Sequence, residues 1–329
     1  MDFNKDARVD TSQIDDVRGR SGDGGRGGLG GLGGGGFRMP GGAGGSVGGL
    51  GIIGIILFFV IQYFTSGNPT GGGGSLFPTD NAGNVSAQDV DAGQTGSDIG
   101  SCNSDPDALD RDDCRLALIV NSVNAFWEQY LPENTPQQVS YRTAVTQLYT
   151  AGTNTACGQA SSAVGPFYCP ADEQVYIDMS FFSGQLRQLG ASNTTFVQAY
   201  VVAHEYGHHI ENILGILEQG QSMDQSGPNS GAVRIELMAD CLAGVWAHHA
   251  TGTTDDSGVQ IITEITDEDI QSGLQAASSI GDDHIQEQGQ GYVNPESFTH
   301  GTSQQRYNWF TKGIESGDLA QCDTFSGGI

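Results

Sequence analysis

The sequence predicts an α+β protein, in which a mostly helical domain with a small antiparallel sheet follows one transmembrane helix. Three observations predict this fold. The C-terminal two thirds contain several long segments with the helical period of apolar residues, and two short runs alternate aromatic and β-branched residues. One uncharged apolar stretch lies near the N-terminus. With 329 residues, the chain can bury a sizeable core in one large domain or two small ones.

The first 42 residues are predicted to be a disordered, glycine-rich cytoplasmic tail. Most residues from 20 to 49 are glycine, which loses the most backbone entropy on ordering and has no side chain to bury. Residues 43–64 are predicted to form the transmembrane helix. Only Ser46 and Gln62 are polar among these 22 residues, and a helix of this length crosses a hydrocarbon core of roughly 30 Å.

The charges around residues 43–64 predict how this helix is oriented. Arginines precede the helix, and no Lys or Arg follows it until Arg111. This asymmetry predicts a single-pass protein of the cell membrane with a cytoplasmic N-terminus. A cleaved signal peptide is the alternative, but the region before it is too long and no clear cleavage site follows. Residues 65–100, rich in Gly, Ser, Asn, Asp and Pro, are predicted to be a flexible linker, and residues 101–329 an extracytoplasmic domain.

All six cysteines lie in the predicted domain, as expected for disulfides in an oxidising compartment. Six unrelated buried thiols are the alternative. Pairing nearest neighbours gives Cys102–Cys114 and Cys157–Cys169, which leaves Cys241–Cys322. No Cys-x-x-Cys pair exists, which argues against a structural zinc ribbon.

The net charge lies entirely after residue 42. The tail holds six basic and six acidic residues, whereas the remainder holds seven basic and 33 acidic residues, a net charge of −26. Such a surface repels phosphate groups, so we expect no nucleic-acid partner.

The predicted elements of the domain follow from their periodicity. Two runs, 165–170 and 173–182, are predicted to be strands of the antiparallel sheet. The second of them is a candidate sheet edge for pairing with an extended peptide. The predicted helices comprise residues 110–131, 192–220, 231–252, 266–280 and 303–317. Asn193 or Thr194 is expected to cap the second helix, and Gly220 to end it.

The second helix carries the motif His-Glu-x-x-His at His204, Glu205 and His208. Its apolar residues recur at spacings of three and four and define a core stripe, which comprises Ala199, Val202, Tyr206, Ile210, Ile213 and Leu217. His204 and His208 lie one turn apart on another face, where both imidazoles can reach one Zn²⁺. Glu205 approaches from the side and is the candidate general base. The alternative is two hydrogen-bonded histidines on an exposed helix face.

A candidate third ligand lies in the next predicted helix, separated from His208 by 27 intervening residues. This interval allows the motif helix to end, a loop to turn and the next helix to pack antiparallel against it. Glu236 and Asp240 lie one turn apart in an apolar run, where unpaired carboxylates are costly. Glu236 is predicted to complete a site for one zinc ion per chain, and Asp240 to accept the free ring N–H of a ligand histidine. The alternative for each is an ordinary solvated carboxylate.

Other histidines and acidic residues are weaker candidates. His209 points about 100° away from His208 and is expected at the surface or behind the ligands. His248 and His249 lie about 18 Å along the helix from Glu236 and are expected to flank its exposed end. The cluster of Asp282, Asp283 and His284 suits a helix start or a turn as well as a metal and stays unassigned.

These motifs together resemble those of the bacterial putative neutral zinc metallopeptidase family. The resemblance covers nearly the whole chain and rests on the glycine-rich tail, the apolar span, "GPFYCP", "HEYGHHIE", "ELMADCLAGVWAHH" and "PESFTHGTSQQRYNWF". It implies a zincin-like metalloprotease domain with gluzincin-like ligands. His204, His208 and Glu236 would then bind zinc, with Glu205 as the general base.

The expected function is hydrolysis of peptide bonds through a metal-activated water, and the expected partner is a peptide or protein substrate. His300 is the candidate oxyanion partner and Tyr307 the second choice, with an ordinary loop histidine as the alternative. Two other functions stay open: a non-catalytic extracytoplasmic binding or scaffold domain, and a zinc hydrolase of a non-peptide amide. The oligomeric state and the natural substrate are not predicted.

Overall fold

The computed structural model describes residues 1–19 and 99–329, which form a mixed α+β structure. The helices are α1 (Asp112–Glu133), α2 (Ser180–Ser183), α3 (Gln185–Gln188), α4 (Thr195–Ile213), α5 (Ile216–Gln221), α6 (Gly231–His249), α7 (Asp267–Ser279), α8 (Asp282–Gln290) and α9 (Ser303–Ser316). The strands are β1 (Asp2–Phe3), β2 (Ile14–Asp16), β3 (Val145–Tyr149), β4 (Gly152–Thr155), β5 (Gly158–Ser161), β6 (Phe167–Cys169), β7 (Gln174–Asp178) and β8 (Ile262–Glu264).

The helices begin where side-chain caps satisfy their first free N–H groups. The hydroxyl of Thr194 caps α4, and the hydroxyl of Ser230 caps α6. Helices α7 and α9 each begin with a capping box. Helix α4 ends at Ile213 rather than at Gly220 as predicted, because Gly215 adopts a left-handed conformation with φ of 74° and starts a separate short helix.

The main sheet has four strands in the order β2-β3-β7-β6. The predicted strands correspond to β6 and β7, which pair antiparallel, but β2 with β3 and β3 with β7 are parallel. The sheet is therefore mixed, and the prediction of an antiparallel sheet is wrong for it. Strand β7 lies in the interior of the sheet and ends at Asp178, so the prediction that residues 173–182 form a sheet edge is wrong. The neighbouring strand β6 lies at the edge instead.

The N-terminal residues 1–19 belong to this folded unit, so the prediction of disorder over residues 1–42 is wrong for them. Strand β1 pairs with β8, and β2 pairs with β3 at the edge of the main sheet. Val9 and Ile14 are buried in the main core. The side chain of Asn121 accepts a hydrogen bond from the Asp10 amide and donates one to its carbonyl, which replaces the solvent partners of that backbone.

The predicted localisation in the membrane is corrected by two findings. No helix within residues 1–19 and 99–329 is long and apolar enough to span a bilayer. In addition, residues 1–19 and the domain pack on each other, so they cannot lie on opposite sides of a membrane as the predicted single-pass topology requires. The predicted helix at 43–64 and nearly all of the predicted linker lie outside the described residues.

Helix α6 lies at the centre of the fold between α4 and α9. Glycines permit its close contacts with both neighbours. A Cβ on Gly207 of α4 would lie 2.9 Å from the Cα of Ala239, and a Cβ on Gly313 of α9 would lie 2.0 Å from the carbonyl oxygen of Cys241. These approaches bring the polar residues of α6 directly beside those of α4 and α9.

Three disulfide bonds join parts of the domain. They are Cys102–Cys114, Cys157–Cys169 and Cys241–Cys322, the pairs that nearest-neighbour pairing predicts. The last one ties α6 to the C-terminal segment across a sequence separation of 81 residues, which restricts the unfolded chain strongly.

Candidate metal centre

The two motif histidines lie on α4 and are buried rather than exposed. His204 and His208 each expose 6 % of their surface, and Glu205 between them exposes 3 %. Buried polar side chains require partners, so the alternative of two histidines on an exposed helix face does not apply. Glu236, on α6, exposes 1 % and faces them.

The spacing of the donor atoms suits one tetrahedral metal ion. The Nε2 atom of His204 lies 3.3 Å from one carboxylate oxygen of Glu236, and the Nε2 atom of His208 lies 3.6 Å from the other. Two donors at about 2.0 to 2.1 Å from a tetrahedral zinc ion are themselves about 3.3 to 3.4 Å apart. The three residues form a group whose ligand atoms all lie within 4.8 Å of one another.

A carboxylate behind each histidine fixes the ring so that its Nε2 atom faces Glu236. The Nδ1 atom of His204 lies 2.9 Å from Oδ1 of Asp240, and the Nδ1 atom of His208 lies 2.8 Å from Oε2 of Glu211. Each Nδ1–H donates to its carboxylate, which leaves the Nε2 lone pair available to a metal. The structure thus places Asp240 where the sequence predicts it and adds Glu211 as the partner of the second histidine.

Arg306 of α9 holds Asp240 in place, and sequence reasoning missed this residue. Its Nε atom donates to Oδ2 of Asp240 at 2.7 Å, and its Nη2 atom donates to Oδ1 at 2.8 Å. The hydroxyl of Tyr200 donates to the same Oδ1 at 2.6 Å. Arg306 shares the buried face of α9 with Phe310 and Gly313, so its helical spacing was a signal for burial.

The charges around the three ligand atoms favour a cation. Burial raises the pKa of Glu236, but His300, His204 and His208 nearby lower it overall. Burial likewise raises the pKa of Asp240, and Arg306 reverses this. Burial lowers the pKa of His208 to about 3, which keeps the ring in the neutral form that binds metals. Four buried carboxyl groups (Glu205, Glu211, Glu236 and Asp240) and one guanidinium surround this site. Burial raises the pKa of Glu205 and Glu211, and a bound dication would favour their charged forms.

Glu205 points into a cavity beside the ligand group. Its Oε2 atom is buried and has no hydrogen-bond partner among the described residues. Burial raises the pKa of Glu205 to about 7, although the charge of His204 and a backbone hydrogen bond from Tyr168 oppose this rise. A carboxyl group with such a pKa can accept and release a proton near neutrality.

His300 lines the same cavity as Glu205 and Glu236. Its Nδ1 atom lies 2.8 Å from the Thr299 hydroxyl and 3.2 Å from Oδ1 of Asp282, and its Nε2 atom has no partner among the described residues. The other oxygen of Asp282 accepts the backbone N–H groups of residues 299–301, which fixes the loop. Tyr307, the second choice, is turned away from the cavity lining because it lies next to Arg306 on the helix.

The other residues singled out from the sequence hold loops and helix ends. His209 is fully buried, with its ring between the Tyr168 hydroxyl and the Arg142 carbonyl, so its expected surface position is wrong. The rings of His248 and His249 hydrogen-bond the carbonyls of Ile314 and Gly317 near the end of α9. Asp283 and His284 also bond backbone groups, at Ser303 and Leu189.

Together these features define a protein with a buried His-His-Glu group that could hold a metal ion, and with a carboxyl group beside it that has one unpartnered oxygen. The family described as putative neutral zinc metallopeptidase matches residues 1–325, and the chain belongs to this family. It is 44 % identical over 255 residues to uncharacterized proteins of Mycobacterium tuberculosis and Mycobacterium bovis, covering 76 % of this chain and 84 % of theirs. It is 48 % identical over 186 residues to the uncharacterized protein YpfJ of Escherichia coli, covering 55 % of this chain and 61 % of that protein. No solved structure matches the chain.

Proposed function

We propose that this chain is a zinc-dependent peptidase with a zincin-like arrangement of its site. The observation that carries the proposal is the meeting of His204, His208 and Glu236 beside the unpartnered carboxyl oxygen of Glu205. A domain that only bound a metal would have no need for a buried carboxyl group with an unpartnered oxygen at this point, because burying it costs free energy. A catalytic proton acceptor does need that position and that raised pKa.

His204, His208 and Glu236 would hold the zinc ion, which when bound supplies a Lewis acid and lowers the pKa of water. Glu205 takes a proton at Oε2 from the water that attacks the scissile carbonyl carbon, and passes it to the amine nitrogen as the C–N bond breaks. Asp240 and Glu211 keep the Nε2 lone pairs of the two histidines directed at the ion. Arg306 keeps Asp240 ionised and holds its carboxylate in the orientation that accepts from His204.

His300 is the proposed partner of the negative charge that develops on the carbonyl oxygen. Its side chain lines the cavity with an unpartnered Nε2 atom, and Thr299 and Asp282 hold its Nδ1 atom. A donor that is fixed before the reaction stabilises such a charge without reorganisation. Edge strand β6, whose Tyr168 amide reaches Glu205, is the proposed strand for pairing with an extended peptide.

Metal analysis and a peptidase assay on the full chain test the proposal. We expect about one zinc ion per chain, cleavage of an unstructured protein substrate, and loss of both with Glu236→Ala. Glu205→Gln keeps the shape of the side chain, so we expect zinc to remain bound while turnover falls by about 10²- to 10⁴-fold. Zinc binding with turnover that Glu205→Gln leaves unchanged would refute the mechanism. Cleavage of small amides but of no peptide would favour the non-peptide hydrolase.

A further inference from the structure

The cavity beside the metal site has two chemically different halves. One half is polar and is formed by the residues already described, among them His204, Glu205 and His300. The other half is an apolar wall of six side chains from four parts of the fold. They are Val164, Pro166, Phe181, Leu189, Val201 and Ile280.

The apolar wall is buried at its base and more exposed at its rim. Val164 and Val201 are buried, at 1 % and 6 % exposure, and Val201 lies one turn before His204 on α4. Phe181, Leu189 and Ile280 are partly exposed and frame the cavity from the α2–α3 turns and from the end of α7. Because Val201 and His204 share a helix face, a group in contact with the wall lies next to the reacting centre.

The size of the cavity limits what can enter it. Its volume is about 60 Å³. A cavity that accommodates benzene measures roughly 150 Å³, so this smaller space suits an aliphatic side chain better than an aromatic ring. A charged side chain would lose its hydration against an apolar wall without gaining a partner there.

We propose that the apolar wall is a specificity subsite for one aliphatic side chain of the substrate, beside the scissile bond, and that Phe181 sets its size limit. This inference rests on the proposed peptidase function and names the substrate class of that site. Peptides with alanine, valine or leucine at that position are bound in preference to those with aromatic or charged residues.

Binding to the zinc-loaded full chain with Glu205→Gln tests the subsite without turnover. The probes are fluorescent Gly/Ser-rich peptides that carry a single guest residue: Gly, Val, Leu, Phe, Glu or Lys. We expect the Val and Leu guests to bind about tenfold or more tightly than Gly, since each buried methylene in such a pocket contributes roughly tenfold. The Phe, Glu and Lys guests should bind no more tightly than Gly.

Phe181→Ala in the same background tests the size limit, because it removes the largest side chain of the apolar wall. We expect the Phe guest to gain at least about tenfold relative to the Leu guest. Phe325→Ala is the matched control: Phe325 is also a partly buried phenylalanine, but it lines a different cavity. Leu189→Ala widens the same wall from another element and serves as a second variant if Phe181→Ala does not fold.

Two results would overturn the inference: equal affinities for all guests in the Glu205→Gln chain, or a ranking that both Phe181→Ala and Leu189→Ala leave unchanged. The proposed function is judged separately, by turnover of the zinc-loaded parent. A guest ranking without turnover supports the subsite and refutes the peptidase proposal, whereas turnover with equal affinities refutes the subsite alone.

Discussion

Replacing Arg306 with methionine should lower the free energy of unfolding of the metal-free chain by about 3 to 5 kcal/mol. Arg306 exposes 2 % of its surface and Asp240 none, so neither charge can be solvated in the folded state. The substitution removes the two guanidinium hydrogen bonds to Asp240, at 2.7 and 2.8 Å, and leaves that buried carboxylate with only the Tyr200 hydroxyl and the His204 ring as donors. Methionine keeps much of the side-chain volume, so the loss reports mainly on the charge.

The exposed pair of Arg142 and Glu173 provides a matched control. It has the same two-point geometry, with distances of 2.8 and 2.7 Å, but the side chains expose 51 % and 36 % of their surface. Solvent screens this pair, so Arg142→Met should cost no more than about 1 kcal/mol. The assay is equilibrium urea unfolding of both variants with intact disulfides and a chelator present.

A double-mutant cycle separates the pair from other effects of the substitution. With Asp240→Asn already present, the carboxylate that Arg306 bonds at 2.7 and 2.8 Å is no longer there to be left without its guanidinium. Arg306→Met should then cost at least about 1.5 kcal/mol less than in the parent. Equal costs in both backgrounds, or a cost for Arg306→Met that matches Arg142→Met, would refute the view that a buried ion pair organises this site.

Three further predictions concern the metal ligands, the N-terminal segment and acid stability. Glu211→Leu should weaken zinc binding about 10- to 100-fold in a chelator competition, and Glu211→Gln less, because only Gln retains an acceptor for His208; equal affinities would contradict the orienting role. Deleting residues 1–19 should lower the free energy of unfolding by several kcal/mol, about 1.5 to 3 for each large apolar side chain that it removes from the core, and added peptide 1–19 should restore part of the loss. An unchanged unfolding midpoint would show that the segment is not part of the domain. Burial raises the pKa of Asp282, but its bonds to His300 and to backbone N–H groups lower this pKa overall. The stabilisation that ionised Asp282 gives to the folded state is therefore present above the unfolded pKa of about 3.9, and it is lost as the pH falls through the lower folded pKa. The parent should therefore lose stability below about pH 4 more steeply than Asp282→Asn, and parallel acid profiles would contradict this.

Features that depend on neighbouring residues could be predicted from the sequence. The pairs His204 with His208 and Glu236 with Asp240 follow from the helical repeat, and the structure places each pair on one face. The capped starts of α7 and α9 follow in the same way from side chains within one turn. The early end of α4 was missed because Gly215 can either continue a helix or end it.

Features that depend on contacts between distant segments could not be predicted. Residues 1–19 have few apolar side chains, and their order depends on strands and asparagines that are more than 90 residues away in the sequence. The predicted topology across a membrane failed for the same reason, since charge asymmetry carries no information about which segments pack together, and residues 1–19 pack on the domain. Arginine is usually exposed, so composition alone did not reveal that Arg306 is buried.

The sequence by itself determined which side chains share a helix face, because the 3.6-residue repeat fixes their direction locally. It thereby determined the metal-binding candidates and the acidic residue beside them. Only the tertiary structure decided that α6 approaches α4 closely enough for Glu236 to face both histidines, and that Arg306 and Glu211 complete the surrounding charges. Those contacts depend on the packing of separate helices at glycines, where a single methyl group would prevent the approach.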